Sequence, residues 1–246
     1  MMKMLDVESA KPLYEQIKDF LLNNIRSGVY VPDTRIPSER ALSEQFGVNR
    51  LTVKKAIDEL IQAGHLYVQI GKGTYIRRPK FDQQLEQLTS FSAEMSSRGQ
   101  RASSLVLKAE IVPASVEDAR ILRVTPGTRL VLLERLRLAD NLPIAIEHTR
   151  FLERMCEGIL EEHDFSKESL YHVLREEYAV TLTHAEQSIE ARLATLEESR
   201  LLLIPQNAAI LHMTRLTYAT GGLPFEYALS AYCGVRYKFN AVLKHV

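Results

Sequence analysis

Between Pro12 and Arg78 apolar spacing and turn residues follow one order: long helix, short helix, tight turn, long helix, hairpin. Leu13, Ile17, Phe20, Leu21 and Ile25 recur at helical spacing, Pro12 suits a first turn and Gly28 follows the last, so a first helix is expected over 12–27. Ser38, a good N-cap after Pro37, opens a second helix of about nine residues with Ala41, Leu42 and Phe46 on its apolar face, and Gly47 ends it. Asn49 caps a third helix of about fifteen residues, with Val53, Ala56, Ile57 and Leu60 inward, and Gly64 closes it. Strands near His65–Gln69 and Thr74–Arg77 flank Ile70-Gly71-Lys72-Gly73, whose glycines admit the positive φ of a tight hairpin.

Two helices meeting across Phe46-Gly47-Val48 have the geometry that lays the second into the major groove of double-stranded DNA. Arg50, Thr52, Lys54 and Lys55 stand near the exposed start of that helix. Its own dipole disfavours cations there, so phosphates or base edges explain them better than a solvated face does. The charge balance agrees. Lys and Arg outnumber Asp and Glu 13 to 9 over residues 1–80, whereas the remainder carries 18 against 22. Arg grips guanine through two parallel hydrogen bonds and Lys acts as a point charge, which assigns base discrimination to Arg50 and affinity to the lysines.

The runs PLYEQI (12–17), PSERALSEQFGV (37–48), NRLTVKKAIDEL (49–60) and GKGTYI (71–76) resemble the amino-terminal winged helix-turn-helix of the GntR family. The resemblance implies that Ser38, Glu39 and Arg40 start the positioning helix and that Arg50 and Thr52 contact the operator. It also implies that Lys72 and Gly73 enter the minor groove on the wing, with Arg35, Asn49, Lys54 and Lys55 completing the DNA-facing set. The family usually has serine where Asn49 stands and arginine-glutamine where Lys54 and Lys55 stand, so the fold carries over and the base sequence read does not.

Residues 79–87, PKFDQQLEQ, are polar without an apolar period and read as a linker between a 1–78 domain and an 88–246 domain. Beyond it the chain repeats itself. Val116-Glu117-Asp118, Arg120 and Leu122, followed by Pro126, return eighty residues on as Leu196-Glu197-Glu198, Arg200 and Leu202, followed by Pro205. The strand Val131–Leu138 with its turn and Leu142-Pro143 matches Ile210–Ala219 with Thr220-Gly221-Gly222 and Leu223-Pro224. Each copy reads as strand, helix, strand, turn, strand, with first strands near 104–112 and 180–191. The expected fold is therefore α+β with a mainly antiparallel six-stranded sheet, and the seam between copies is a natural cleft.

Arg135 and Arg137 point to one face of their strand. Side by side they are tolerated on a wet surface or where an anion joins them. Leu88-Thr89-Ser90-Phe91 opens a helix to about Ser97, whose hydroxyls and free amides serve either as an anion site or as plain N-caps. Glu147 and Glu226 follow the matched turns, positioned to accept from sugar hydroxyls or an ammonium, or to stand as solvated charges.

LTSF (88–91), RLRL (135–138), LPIAIE (142–147), SLY (169–171) and LPFEYALSAY (223–232) together resemble the UTRA effector-binding domain of the HutC subfamily, which has a chorismate lyase-like fold. The likeness is greatest to N-acetylglucosamine-utilisation repressors that respond to N-acetylglucosamine 6-phosphate or glucosamine 6-phosphate. It implies phosphate held by Thr89, Ser90, Arg135 and Arg137, sugar held by Glu147, Ser169, Tyr171, Glu226 and Tyr232, and Phe91 in the same site. Cys233 and Val235 stand where such members often have arginine and aspartate.

The expected whole is a homodimeric transcription regulator, most simply a repressor, with operator DNA and a small anionic effector as partners and no cofactor. No nucleophile-base motif, H-E-x-x-H, glycine-rich phosphate loop or metal-ligand spacing speaks for an enzyme on the lyase-like fold. A purely architectural DNA protein leaves the repeat and the clustered arginines without a use. Cys156 and Cys233 lack a CxxC spacing and read as buried free thiols. With 46% hydrophobic and 25% charged residues, no membrane-length apolar run and no signal pattern at MMKMLDVESAKP, a cytoplasmic location is expected.

Overall fold

A computed structural model describes residues 5–6, 9–69, 71–78, 80–85 and 87–243, with the side chain of residue 84 left aside. Two compact units divide the chain, Met1–Pro79 and Lys80–Val246.

In the first unit, helix α1 spans Leu13–Arg26 and buries Ile17 and Leu21. Helix α2, Glu39–Phe46, is capped by the Ser38 hydroxyl, which accepts from the Ala41 N–H, and stops at Gly47 with φ +65°. Helix α3 covers Arg50–Gln62, two residues shorter than the expected fifteen, and buries Val53, Ala56, Ile57 and Leu60. The three apolar stripes meet Ile36, Leu66 and Ile76 in one core. Strands β1 (Leu66–Gln69) and β2 (Gly73–Ile76) pair antiparallel from Leu66↔Ile76 to Gln69↔Gly73. Ile70 of the expected turn lies outside the described residues. Gly73 has φ +119°, and a Cβ there would stand 2.5 Å from the Arg35 Nε, so only glycine lets Arg35 pack against the wing backbone.

The second unit begins with a correction. The segment expected to be a linker contains strand β3, Phe81–Gln84, paired in parallel with β10, Tyr237–Asn240, in the register Phe81↔Tyr237. Phe81 and Gln83 are both buried, and Gln83 is satisfied by the Tyr237 hydroxyl at 3.0 Å. A strand whose inward residue is a hydrogen-bonded amide shows no apolar alternation. Pro79 and Glu86 of that segment lie outside the described residues.

Helix α4 (Phe91–Ser97) is followed by the first repeat: β4 (Ala102–Pro113), α5 (Val116–Leu122), β5 (Arg129–Ala139) and β6 (Leu142–Leu152). Two short helices, α6 (Ile159–Glu162) and α7 (Leu170–Glu176), lead to the second copy: β7 (Leu182–Leu193), α8 (Leu196–Leu201), β8 (Ala209–Ala219) and β9 (Leu223–Cys233). The copies share their caps, because Ser115 with Asp118 and Thr195 with Glu198 each form a capping box. Their turns share left-handed residues, Asp140 and Asn141 in one and Gly221 and Gly222 in the other.

The six long strands form one antiparallel sheet in the order β4-β5-β6-β9-β8-β7. The repeats therefore join through β6 and β9, with Glu147 facing Ser230 across the seam. The largest core gathers Leu130, Leu133, Phe151, Phe165, Leu174 and Phe225, with α5 and α7 contributing. Cys156 and Cys233 are buried free thiols. Among the described residues no helix is long and apolar enough to cross a membrane.

Candidate functional site

The seam between the repeats carries a cavity whose floor is β5, β6, β8 and β9 and whose cover is the start of α4 and the start of α7. All ten residues expected at an effector site line it: Thr89, Ser90 and Phe91 from the α4 start, Arg135, Arg137 and Glu147 from the first repeat, Ser169 and Tyr171 from the α7 start, and Glu226 and Tyr232 from the second repeat.

The arginine pair is buried, 3% exposed at Arg135 and 5% at Arg137, so the wet-surface alternative does not hold. Arg135 donates to Glu147 through Nε at 3.0 Å and through Nη2. Arg137 donates through Nη1 to Ser104 Oγ at 3.0 Å and lies 4.4 Å above the Phe91 ring. Among the described residues Arg135 Nη1 and Arg137 Nε are buried without a partner. Buried N–H groups of this kind cost free energy until an acceptor arrives, which makes this corner a waiting anion site. Burial, and then the neighbouring Arg135, lower the Arg137 guanidinium to about 10. Burial alone would raise Glu147, yet the two arginines and the Arg135 hydrogen bond hold it at about 2.

The opposite wall is quieter in charge. Glu226 Oε2 accepts from the Tyr171 hydroxyl at 2.6 Å and from Thr217 at 2.7 Å, while burial pushes its carboxyl up against those hydrogen bonds. Burial likewise raises Glu94, a residue of α4 that Arg98 and Tyr237 hold in place. Glu147 is thus firmly ionised and the other two carboxyls are biased toward their protons, whereas Arg135, Arg137 and Arg215 bring three positive charges. The resulting field favours an anion. Ser90 also serves the local structure, since its hydroxyl accepts from the Ala93 N–H and caps α4.

In the first unit the expected DNA-facing residues are spread over α2, α3 and the wing. Arg35, Ser38, Arg40, Asn49, Arg50, Lys54, Lys55 and Lys72 are exposed, whereas Glu39, Thr52 and Gly73 are half-buried. Glu39 reaches Arg50 at 3.4 Å, Arg40 reaches Glu44 at 2.9 Å, and Asn49 accepts from the Leu51 N–H at 2.9 Å. Lys55 has a partner on α1, its ammonium 3.7 Å from the centroid of the Tyr14 ring, which leaves Lys54 and Lys72 as the freer lysines of that set.

Residues 13–76 match the bacterial regulatory proteins of the gntR family, and residues 97–238 match the UTRA domain. The chain belongs to the GntR family. Its relatives include the HTH-type transcriptional repressor NagR of Bacillus subtilis (strain 168), 36% identical with 96% of each chain covered. The mannosyl-D-glycerate transport/metabolism system repressor MngR of Escherichia coli (strain K12) is 33% identical, covering 94% of this chain and 96% of its own. The crystal structure of PhnF from Mycobacterium smegmatis superposes with a TM-score of 0.69 at 26% identity, over 94% of this chain and 98% of that one. Both resemblances drawn from the motifs hold, and a GntR-family chain is a transcription regulator rather than an enzyme.

Sequence reasoning missed Arg215, Glu94 and Gln83 in the wall of this GntR protein's cavity. A signal for Arg215 was present, because the repeat offset of eighty carries Arg135 onto Arg215. Arg135 pairs across the sheet with Glu147, while Arg215 faces Ala228 and donates instead to Gln187 at 2.9 and 3.1 Å. The second copy places its carboxylate two residues earlier, on the same face, at Glu226 opposite Thr217. Glu94 and Gln83 gave no signal, since a lone polar residue on a short element reads as solvated.

Proposed function

We propose that this protein is a homodimeric repressor whose grip on a palindromic operator is released by a phosphorylated amino sugar, N-acetylglucosamine 6-phosphate or glucosamine 6-phosphate. Each first unit reads a half-site, with Arg50 discriminating bases, Lys54 and Lys72 gripping phosphates, and the Gly73 wing in the minor groove. In the effector unit the phosphate joins Arg135 and Arg137 beside Thr89 and Ser90. The sugar then lies toward Glu147, Ser169, Tyr171, Glu226 and Tyr232.

The observation that carries the reading is the buried arginine pair with two unpartnered N–H groups. An anion with several acceptor oxygens can satisfy both at once, and a dianionic phosphate also offsets the burial and the Arg135 repulsion that together lower Arg137. The free space in the cavity is about 40 Å³, far below the roughly 300–1,000 Å³ of sites that hold drug-sized ligands. Effector entry therefore requires the starts of α4 and α7 to move outward.

Calorimetric titration with both sugar phosphates and with unphosphorylated N-acetylglucosamine tests this. Binding of a phosphorylated sugar at least a hundredfold tighter than the unphosphorylated one is expected, since two charge-assisted hydrogen bonds of about 1.5–3 kcal/mol each are at stake. Equal affinity for the two forms, or no heat with either phosphate, counts against the proposal.

A further inference from the structure

The outward face of α3 carries an apolar side chain that none of the roles above uses. Leu51 is 72% exposed in the first turn of the helix. Successive helical residues turn by about 100°, which sets Leu51 opposite the centre of the buried stripe of Val53, Ala56, Ile57 and Leu60. Its backbone is fixed, because Asn49 Oδ1 accepts the Leu51 N–H at 2.9 Å. Two of the cations beside it are held to either side, Arg50 by Glu39 at 3.4 Å and Lys55 over the Tyr14 ring at 3.7 Å. The helix that a helix-turn-helix lays in the groove therefore presents an aliphatic group at the centre of its outward face, beside the exposed Lys54.

The major-groove edges of the four base pairs present donors, acceptors and one apolar group, the C5 methyl of thymine. Leucine pressed on any other edge strips water from donors or acceptors and returns no hydrogen bond. We propose that Leu51 is a specificity-determining residue, packing on the C5 methyl of a thymine in each operator half-site while Arg50 and the lysines supply polar and charged contacts. This rests on the reading that α3 enters the major groove.

The full chain is used to recover duplexes from a random-sequence pool. Each thymine of the recovered site is then replaced in turn by deoxyuridine, which removes the methyl and keeps every hydrogen-bonding group. At one thymine per half-site the wild-type protein is expected to lose about fourfold in affinity, the effect of exposing one methyl-sized group. Leu51→Ala is expected to be indifferent to the same replacement, and Leu51→Met, which keeps apolar reach, to remain sensitive. The proposal is overturned if every replacement costs wild type and Leu51→Ala the same factor. Failure to enrich any duplex overturns the operator-binding reading itself, an outcome distinct from indifference to the methyl.

Discussion

Arg137 is the residue at which stability and function pull hardest against each other. Its charge is buried beside that of Arg135, and the fall of its guanidinium to about 10 is the cost of holding it there without an anion. Arg137→Met is therefore expected to stabilise the unliganded protein by about 1 kcal/mol or more. The same change is expected to abolish the thermal shift given by a sugar phosphate, and unfolding scans with and without ligand measure both. Glu147 has the opposite sign. Its folded-state value of about 2 lies below the ordinary carboxylate value of 4.5, so its contribution is fully present above pH 4.5 and is lost as pH falls toward 2. Acid unfolding should show a loss of about 2–3 kcal/mol across that window in the wild type, and Glu147→Gln should flatten it. An unchanged acid limb in the variant would show that other carboxylates carry the dependence.

At the level of elements, β3 tests how the effector unit is built. Phe81 is 5% exposed and stacks on Tyr237 at 6.1 Å between ring centroids, so Phe81→Ala should cost about 3–5 kcal/mol in chemical denaturation. Gln87→Ala, at an exposed position of the same segment, should change stability by less than about 0.5 kcal/mol. If both are neutral, the segment is a linker after all. The capped helices and both repeats were legible in the chain because each is written in local terms: Ser38 and Asn49 before an apolar period, glycine after it, and a strand-helix-strand unit appearing twice. The pairing of β3 with β10 was not, because Gln83 is buried through a hydrogen bond to Tyr237, and burial by hydrogen bonding leaves no hydrophobic pattern. The cavity divides the same way. Arg135 and Arg137 stand out as adjacent cations on one strand face, whereas Glu94 reads locally only as one half of an i,i+4 pair with Arg98, and its place in the cavity depends on the distant Tyr237.

For the whole molecule, the excess of basic residues before residue 80 and of acidic residues after it divides the labour between two units. The first suits a polyanion. The second concentrates three arginines around one small cavity. Regulation requires that the effector and the operator prefer different states of the chain, and linkage makes their antagonism equal in both directions. The most direct measurement is operator affinity, on a duplex recovered by the full chain, with and without saturating N-acetylglucosamine 6-phosphate or glucosamine 6-phosphate. A weakening of about 5–150-fold with at least one of them is expected, matched by the same loss of effector affinity when operator is bound. Unchanged operator affinity at saturation with both sugar phosphates would contradict an effector-released repressor.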